Sequence, residues 1–133
     1  MRCEDLQAVV PAGFIERERL DCAAVLPAHT RMIHVLATIE VQPGQRAAFL
    51  AEFHALRPLV LAEHGCLEYG PAVDCPTDIP VQARLGDDAV TVIEKWLDVP
   101  ALEAHLKAPH MADYRVKVRP FVKGVTLRVL QPA

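Results

Sequence analysis

The sequence is poor in aromatic residues and has no marked excess of charge of either sign. Aromatic side chains make up 5% of the 133 residues, as four Phe, two Tyr and one Trp. Fourteen basic residues stand against seventeen acidic ones, which gives a formal net charge of −3. Proteins that bind nucleic acid or anionic membranes usually present a basic patch, and single-strand binders add stacking aromatics. The composition therefore argues against both kinds of partner.

The sequence also lacks targeting and membrane segments. No stretch approaches the roughly 20 apolar residues that a membrane-spanning helix needs. Glu4 and Asp5 stand where a secretory signal peptide has basic residues. None of the four cysteines lies in a C-x-x-C pair, so the common zinc and thioredoxin-like patterns are missing. We expect a cytoplasmic protein with reduced thiols, and we interpret Cys66, in a predicted strand, as a structural thiol rather than a nucleophile.

What the chain does contain is a large apolar fraction for a single small domain. Hydrophobic residues make up 52% and charged residues 23%. A disordered chain would be more polar and more highly charged. The surplus, mostly Ala, Val and Leu, indicates an extra buried surface. That surface is an interface with a partner subunit, the wall of an enclosed pocket, or both.

The chain divides near Met32. Residues 1–31 carry Pro and Gly, a mixed charge run at 16–19, and little periodicity. We interpret them as an N-terminal extension that packs on the domain or on a partner subunit. Residues 32–133 are strongly patterned and are predicted to form the domain itself.

Hydrophobic periodicity predicts the elements of this domain. Residues 33–41 alternate as a strand, and 45–63 carry the apolar stripe of a helix, in which Pro58 is expected to cause a kink. Further strands are predicted at 66–70, 89–96 and 124–130, a loop at 71–88, and helices from about 100 to 109 and from about 110 to 122. The order β-α-β-β-α-β is that of the ferredoxin-like α+β fold.

Four short motifs occur in the order found in one family. They are Pro43-Gly44 at the end of the first strand, the stretch Glu63-His64-Gly65-Cys66-Leu67-Glu68-Tyr69, then Glu94-Lys95-Trp96, and finally Ala104-His105-Leu106-Lys107-Ala108-Pro109-His110. With these motifs, residues 32–130 resemble the antibiotic biosynthesis monooxygenase domain, whose family includes small quinol monooxygenases.

This resemblance implies a homodimeric α/β barrel in which two ferredoxin-like sheets face each other. It also implies oxygenation of a small phenolic or quinol-like aromatic with O₂ as co-substrate and with no metal or flavin cofactor. The chain departs from the family in its longer 71–88 connection and in residues 1–31, which have no counterpart there.

Oxygenation without a cofactor requires a base and a dry cavity. His105 shares a helix face with Leu102 and Leu106, and we take it as the first catalytic candidate; the alternative is a hydrogen-bonded core histidine. His110 is the second catalytic candidate and is alternatively structural. The spacing of five between the two does not suit a helical metal pair.

Five residues are candidates for substrate binding. Tyr69 and Tyr114 each offer a phenol donor. Trp96 is predicted either to wall the pocket or to pack in the core. Glu94, on the same strand face, is interpreted as a structural ion-pair partner or a proton relay. His34 reaches the same cavity if its face of the first strand meets the helices.

Two other functions remain open at this point. The same pocket would serve an isomerase or another proton-transfer enzyme, which needs no O₂. A non-catalytic dimer that binds small aromatic molecules is the second alternative.

Overall fold

The computed structural model describes residues 31–133, so the packing predicted for the N-terminal extension lies outside the described residues. Four strands and three helices follow one another along this part of the chain. They are β1 (Ile33–Val41), α1 (Arg46–Leu61), β2 (Cys66–Ala72), β3 (Ala89–Trp96), α2 (Val99–Lys107), α3 (Pro109–Val118) and β4 (Val122–Leu130). None of these helices is long and apolar enough to cross a membrane.

The four strands form one antiparallel sheet in the order β2-β3-β1-β4. The first strand of the chain is therefore central, between β3 and β4. This order, with helices between β1 and β2 and between β3 and β4, confirms the predicted ferredoxin-like α+β fold. The second helical segment is divided in two at Pro109, as its sequence predicts.

The core lies between one face of the sheet and the helices. Alternate residues of β1, from Ile33 to Val41, are buried, while those between them are partly exposed or exposed. The predicted stripe of α1 is buried along its whole length, as Phe49, Phe53, Leu56 and Val60. These two patterns, of period two and period 3.6, place β1 and α1 face to face.

Several boundaries differ from those predicted. Strand β2 continues to Ala72, helix α1 ends at Leu61 after passing through Pro58, and α3 ends at Val118 instead of 122. Beyond α3 the amide of Phe121 donates to the carbonyl of Val118 at 2.8 Å, which turns the chain into β4. Local turn bonds of this kind are not visible in hydrophobic periodicity, and they set the ends of the elements.

The long connection at 73–88 is held by specific hydrogen bonds. The carboxylate of Asp74 accepts from the amides of Leu85 and Gly86, each at 2.9 Å. These two bonds lower the pKa of the Asp74 carboxyl. Asp88 accepts from the amide of Gly44 at 3.0 Å, which ties the connection to the turn after β1. The extra length of this connection is therefore held in a defined conformation by these bonds.

Gly65, between α1 and β2, offers a test of the packing of α2. Its φ is +80°, and a Cβ added there would lie 2.6 Å from the Cβ of Ala101. Gly44 has a similar φ of +77° with open space around it. We expect Gly44→Ala to lower the free energy of unfolding by roughly 1–2 kcal/mol through backbone strain alone. Gly65→Ala should cost roughly 1–3 kcal/mol more because α2 must shift. Urea denaturation of both variants measures the difference, and equal losses would contradict this account.

Candidate active site

A cavity of about 430 Å³ lies between the helices and the sheet. We call it the inner cavity. All four strands and all three helices contribute to its wall, and most of the lining side chains are apolar. Its volume falls within the range of roughly 300–1,000 Å³ that is usual for small-molecule sites. On the β4 side, Val125 and Leu127 line it while 61% and 49% exposed, so the cavity opens there.

Aromatic rings form one wall of the inner cavity. Tyr69 stacks on Phe53 with ring centroids 5.1 Å apart, and Tyr114 meets Phe49 and Phe53 edge-on at 6.3 and 6.5 Å. Burial is the main cause that raises the pKa of both tyrosine phenols. Both therefore remain neutral near pH 7 and can donate a hydrogen bond to a ligand oxygen.

Glu94 is a buried carboxyl group in the wall of the inner cavity. Its Oε2 accepts a hydrogen bond from the indole Nε1 of Trp96 at 2.8 Å. Burial raises the pKa of Glu94 to about 7, against the lowering effect of the Trp96 bond, and the charge of Glu63 raises it further. Near neutral pH the Glu94 carboxyl is therefore protonated in part of the molecules and ionised in the rest, so it can act as a hydrogen-bond donor or as an acceptor.

His105 and His110 share a single carboxylate, that of Glu63. Nδ1 of His105 lies 2.7 Å from Oε2 of Glu63, and Nε2 of His110 lies 2.5 Å from Oε1. Glu63 follows α1, while the two histidines come from α2 and the first turn of α3. When Nδ1 of His105 donates to Glu63, its Nε2 carries the lone pair and becomes the basic nitrogen of the ring.

The His105 imidazole is buried against aromatic rings. Its ring centroid lies 4.6 Å from that of Trp96 and 5.5 Å from that of Tyr69. Burial lowers the pKa of His105, and the nearby charges of His110 and Arg115 lower it too. The hydrogen bond and the charge of Glu63 raise it, but the net direction is downward. The ring is therefore neutral at pH 7 and is available as a base.

A second depression lies on the outer side of His105. This outer cleft, of about 350 Å³, is lined by Glu63, His64, Asp98, His105 and His110 together with small apolar residues. His105 belongs to the walls of both the inner cavity and the outer cleft. His110 lines the outer cleft and a smaller neighbouring depression between α1 and α3 but not the inner cavity, so the structure brings it to Glu63 on the outer side of the site.

Two predicted substrate-binding residues lie outside the inner cavity. His34 alternates with the buried residues Ile33 and Val35, so it points to the sheet face away from the helices. The sequence prediction assigns His34 to the cavity on the condition that its face of β1 meets the helices. The helices cover the opposite face, so His34 does not reach the cavity. Trp96 is fully buried and does not line the cavity. The indole N–H, the single donor of the Trp96 side chain, bonds to Glu94, and Trp96 packs beneath the site.

The prediction omitted Glu63 from the site residues. Its side chain is only 14% exposed and makes both histidine contacts. The sequence did contain a signal for Glu63, because the resembled family also has an acid at the start of the motif that begins there. Sequence spacing alone could not find it, since 42 residues separate it from His105. By contrast, the predicted Tyr69, Tyr114, Glu94 and His105 do meet around the inner cavity.

Cys66 is partly exposed at the start of β2. Burial, followed by the charges of Glu63 and Glu94, raises the pKa of its thiol to about 11. The thiol is protonated near neutral pH and is a poor nucleophile there.

Comparison with known proteins supports the resemblance drawn from the motifs. Residues 32–117 match the family described as "Antibiotic biosynthesis monooxygenase". A protein of Escherichia coli K12 named "Probable quinol monooxygenase YgiN" is 41% identical over 103 residues, which cover 76% of this chain and 98% of that protein. The crystal structure of PA3566 from Pseudomonas aeruginosa superposes with a TM-score of 0.66 at 26% identity, covering 80% of this chain and 99% of that one. Rv0793 from Mycobacterium tuberculosis, at 24% identity, has the same fold, with a TM-score of 0.63 over 77% of this chain and 95% of that one.

The raised pKa of Glu94 predicts a pH-dependent loss of stability. The folded state favours the neutral carboxyl, so stability is greatest below the ordinary pKa of 4.5 and falls as the pH rises through about 7. Because one pKa unit corresponds to about 1.4 kcal/mol, Glu94→Gln should gain roughly 2–3 kcal/mol relative to the wild type between about pH 5 and pH 8. Denaturant unfolding at both pH values measures this gain.

Glu103→Gln is the matched control for this experiment. Glu103 is exposed on α2, away from the outer face of the sheet. Its variant should follow the pH dependence of the wild type. If Glu94→Gln did the same, burial of the Glu94 carboxyl would not be the source of the effect.

Proposed function

Because the chain belongs to the antibiotic biosynthesis monooxygenase family, we propose that it is a cofactor-independent monooxygenase that oxidises a small phenolic or quinol-like aromatic with O₂. The observation that carries this proposal is the position of His105. A neutral imidazole lies at the wall of an apolar, aromatic cavity, with its Nδ1 held by a carboxylate. This arrangement suits removal of a phenolic proton.

The substrate itself supplies the electrons. Nε2 of His105 accepts a proton from the substrate hydroxyl, and the electron-rich anion then reduces O₂. With hydroquinone, one oxygen atom enters the ring to give a hydroxyquinone and the other leaves as water, so atoms and electrons balance. The protein contributes the base, the exclusion of water and the orientation of the anion.

Hydrogen-bond donors around the cavity would stabilise the anion. The phenols of Tyr69 and Tyr114 are neutral, and the Glu94 carboxyl, with a pKa of about 7, is partly protonated. In a cavity of low polarity each such donor interacts strongly with an anionic oxygen. These three residues would set the position of the aromatic ring against the Phe49–Phe53 wall.

We further propose a homodimer formed through the sheet face away from the helices. On this face Ile93 and Leu130 are exposed and Leu36 is partly exposed within residues 31–133. Strand register places Leu36 directly beside Ile93. We also assign the protein to the cytoplasm, where thiols such as those of Cys66 and Cys75, both free, stay reduced.

The base assignment predicts a large loss of activity in His105→Asn. Removal of a general base typically reduces turnover by about 10²- to 10⁴-fold. Oxygen consumption with 1,4-naphthohydroquinone, corrected for autoxidation, measures the effect. His54→Asn is the control, since His54 is exposed on α1 and does not line the cavity. Full activity in His105→Asn would contradict the role of the base.

The same assay separates the alternative functions. A proton-transfer enzyme would convert the substrate equally well without O₂. A binding protein would give saturable binding of the naphthohydroquinone with no turnover above the autoxidation rate. Consumption of O₂ that requires the protein and His105 would exclude both alternatives.

The dimer proposal predicts that a charge on the outer sheet face separates the subunits. Leu36→Arg should change the mass measured by light scattering from that of two chains to that of one. Val116→Arg, at an exposed position on α3, should remain a dimer. A wild-type mass of one chain would contradict the proposal directly.

A further inference from the structure

The carboxylate of Glu63 forms one hydrogen bond with each of two imidazoles through different oxygens. Oε2 meets Nδ1 of His105 at 2.7 Å, and Oε1 meets Nε2 of His110 at 2.5 Å. A carboxylate that only oriented His105 would need no second imidazole. The three groups instead form a continuous hydrogen-bonded chain whose ends lie in different surroundings.

Exposure increases along this chain. The side chain of His105 is 2% exposed, that of Glu63 14% and that of His110 26%. His105 lines the inner cavity, whereas Glu63 and His110 line the outer cleft and do not reach the inner cavity. The chain therefore leads from the buried cavity to the surface through titratable groups alone.

We propose that Glu63 and His110 carry the proton that His105 removes from the substrate out of the inner cavity to water in the outer cleft. This inference depends on the proposed function, because it requires His105 to act as a base. It adds a route for the proton, and it assigns His110 a role outside the cavity.

The transfer moves one proton and no electrons. His105 gains the substrate proton at Nε2 and passes its Nδ1 proton to Oε2 of Glu63. The proton held between Oε1 and Nε2 of His110 moves to that nitrogen, and Nδ1 of His110 releases a proton to water. One proton has then entered at the cavity and one has left at the cleft, His105 is neutral with its proton on Nε2, and Glu63 is protonated at Oε2. Because the oxidation of hydroquinone to hydroxyquinone and water releases no net proton, the same groups return one proton from the cleft when the second oxygen leaves as water, and this return restores the lone pair at Nε2 of His105.

A route of this kind answers an energetic problem in the cavity. An imidazolium formed at His105 is buried among apolar rings, and its pairing with the Glu63 carboxylate offsets only part of the cost of burying the charge, because the net shift of the His105 pKa is downward. Arg115 and His110 add positive charge near it, and burial and these charges lower the pKa of His105. Among residues 31–133, Glu63 is the group hydrogen-bonded to His105 that can take the excess proton, and His110 connects it to the cleft.

The test compares two replacements of His110. His110→Gln keeps an amide donor for Glu63 but cannot transfer a proton, and His110→Ala leaves space for an added base. We expect both to reduce kcat for 1,4-naphthohydroquinone by about 10- to 100-fold. KM should stay unchanged, because His110 does not line the inner cavity. Added imidazole should restore the kcat of His110→Ala in proportion to its concentration and have no effect on the wild type.

His64→Gln is the matched control. His64 is exposed, lines the same cleft and has no hydrogen bond to Glu63. Its variant should keep the wild-type kcat. Wild-type turnover in His110→Gln, or a slow His110→Ala that imidazole does not restore, would overturn the relay and leave Glu63 as a positioning residue.

The failure of the relay can be told apart from failure of the proposed function. If His105→Asn abolishes O₂ consumption while His110→Gln does not, His105 is the base and only the route is wrong. If His105→Asn retains full activity, the proposed base is wrong and the relay falls with it.

Discussion

The structure of the site depends on one carboxylate placed between two imidazoles. Glu63 lies just beyond α1, and its two oxygens bond to His105 on α2 and to His110 on α3. Three helical segments are thereby joined at one end of the helix layer, across the break at Pro109. Because these contacts are charge-assisted and largely shielded from water, they are stronger than exposed ion pairs. They orient the His105 ring and also select which of its nitrogens is basic.

Burial explains why so many groups around the inner cavity have shifted pKa values. It raises the pKa of the carboxyl of Glu94 and of both tyrosine phenols, and it lowers that of the imidazole of His105. In each case the apolar surroundings disfavour the charged form. The result is a cavity in which both tyrosines and His105 are neutral near pH 7 and Glu94 is partly protonated, while Arg115 and Arg119 add positive charge at its wall. Such a site has one base and several donors, which fits the deprotonation of a weak acid such as a phenol.

Sequence patterns predicted the layers better than the ends of the elements. The period of β1 and the stripe of α1 follow from burial on one face, so both were correctly placed. The end of α3 depends instead on the turn bond between Phe121 and Val118, which periodicity does not register. The same limit applies to side chains. Tyr69, Glu94 and His105 were found as candidates, whereas His34 depended on which sheet face the helices cover.

The sequence by itself determined the order of the elements, the apolar faces and the family, because these depend on local periodicity and on short motifs. Only the tertiary structure decided which groups meet. Glu63 and His105 are 42 residues apart, and the helix layer brings them to 2.7 Å. Packing likewise positions Trp96 beneath the cavity and His110 in the outer cleft. Contacts between distant residues arise from the packing of whole elements, and no local pattern specifies them.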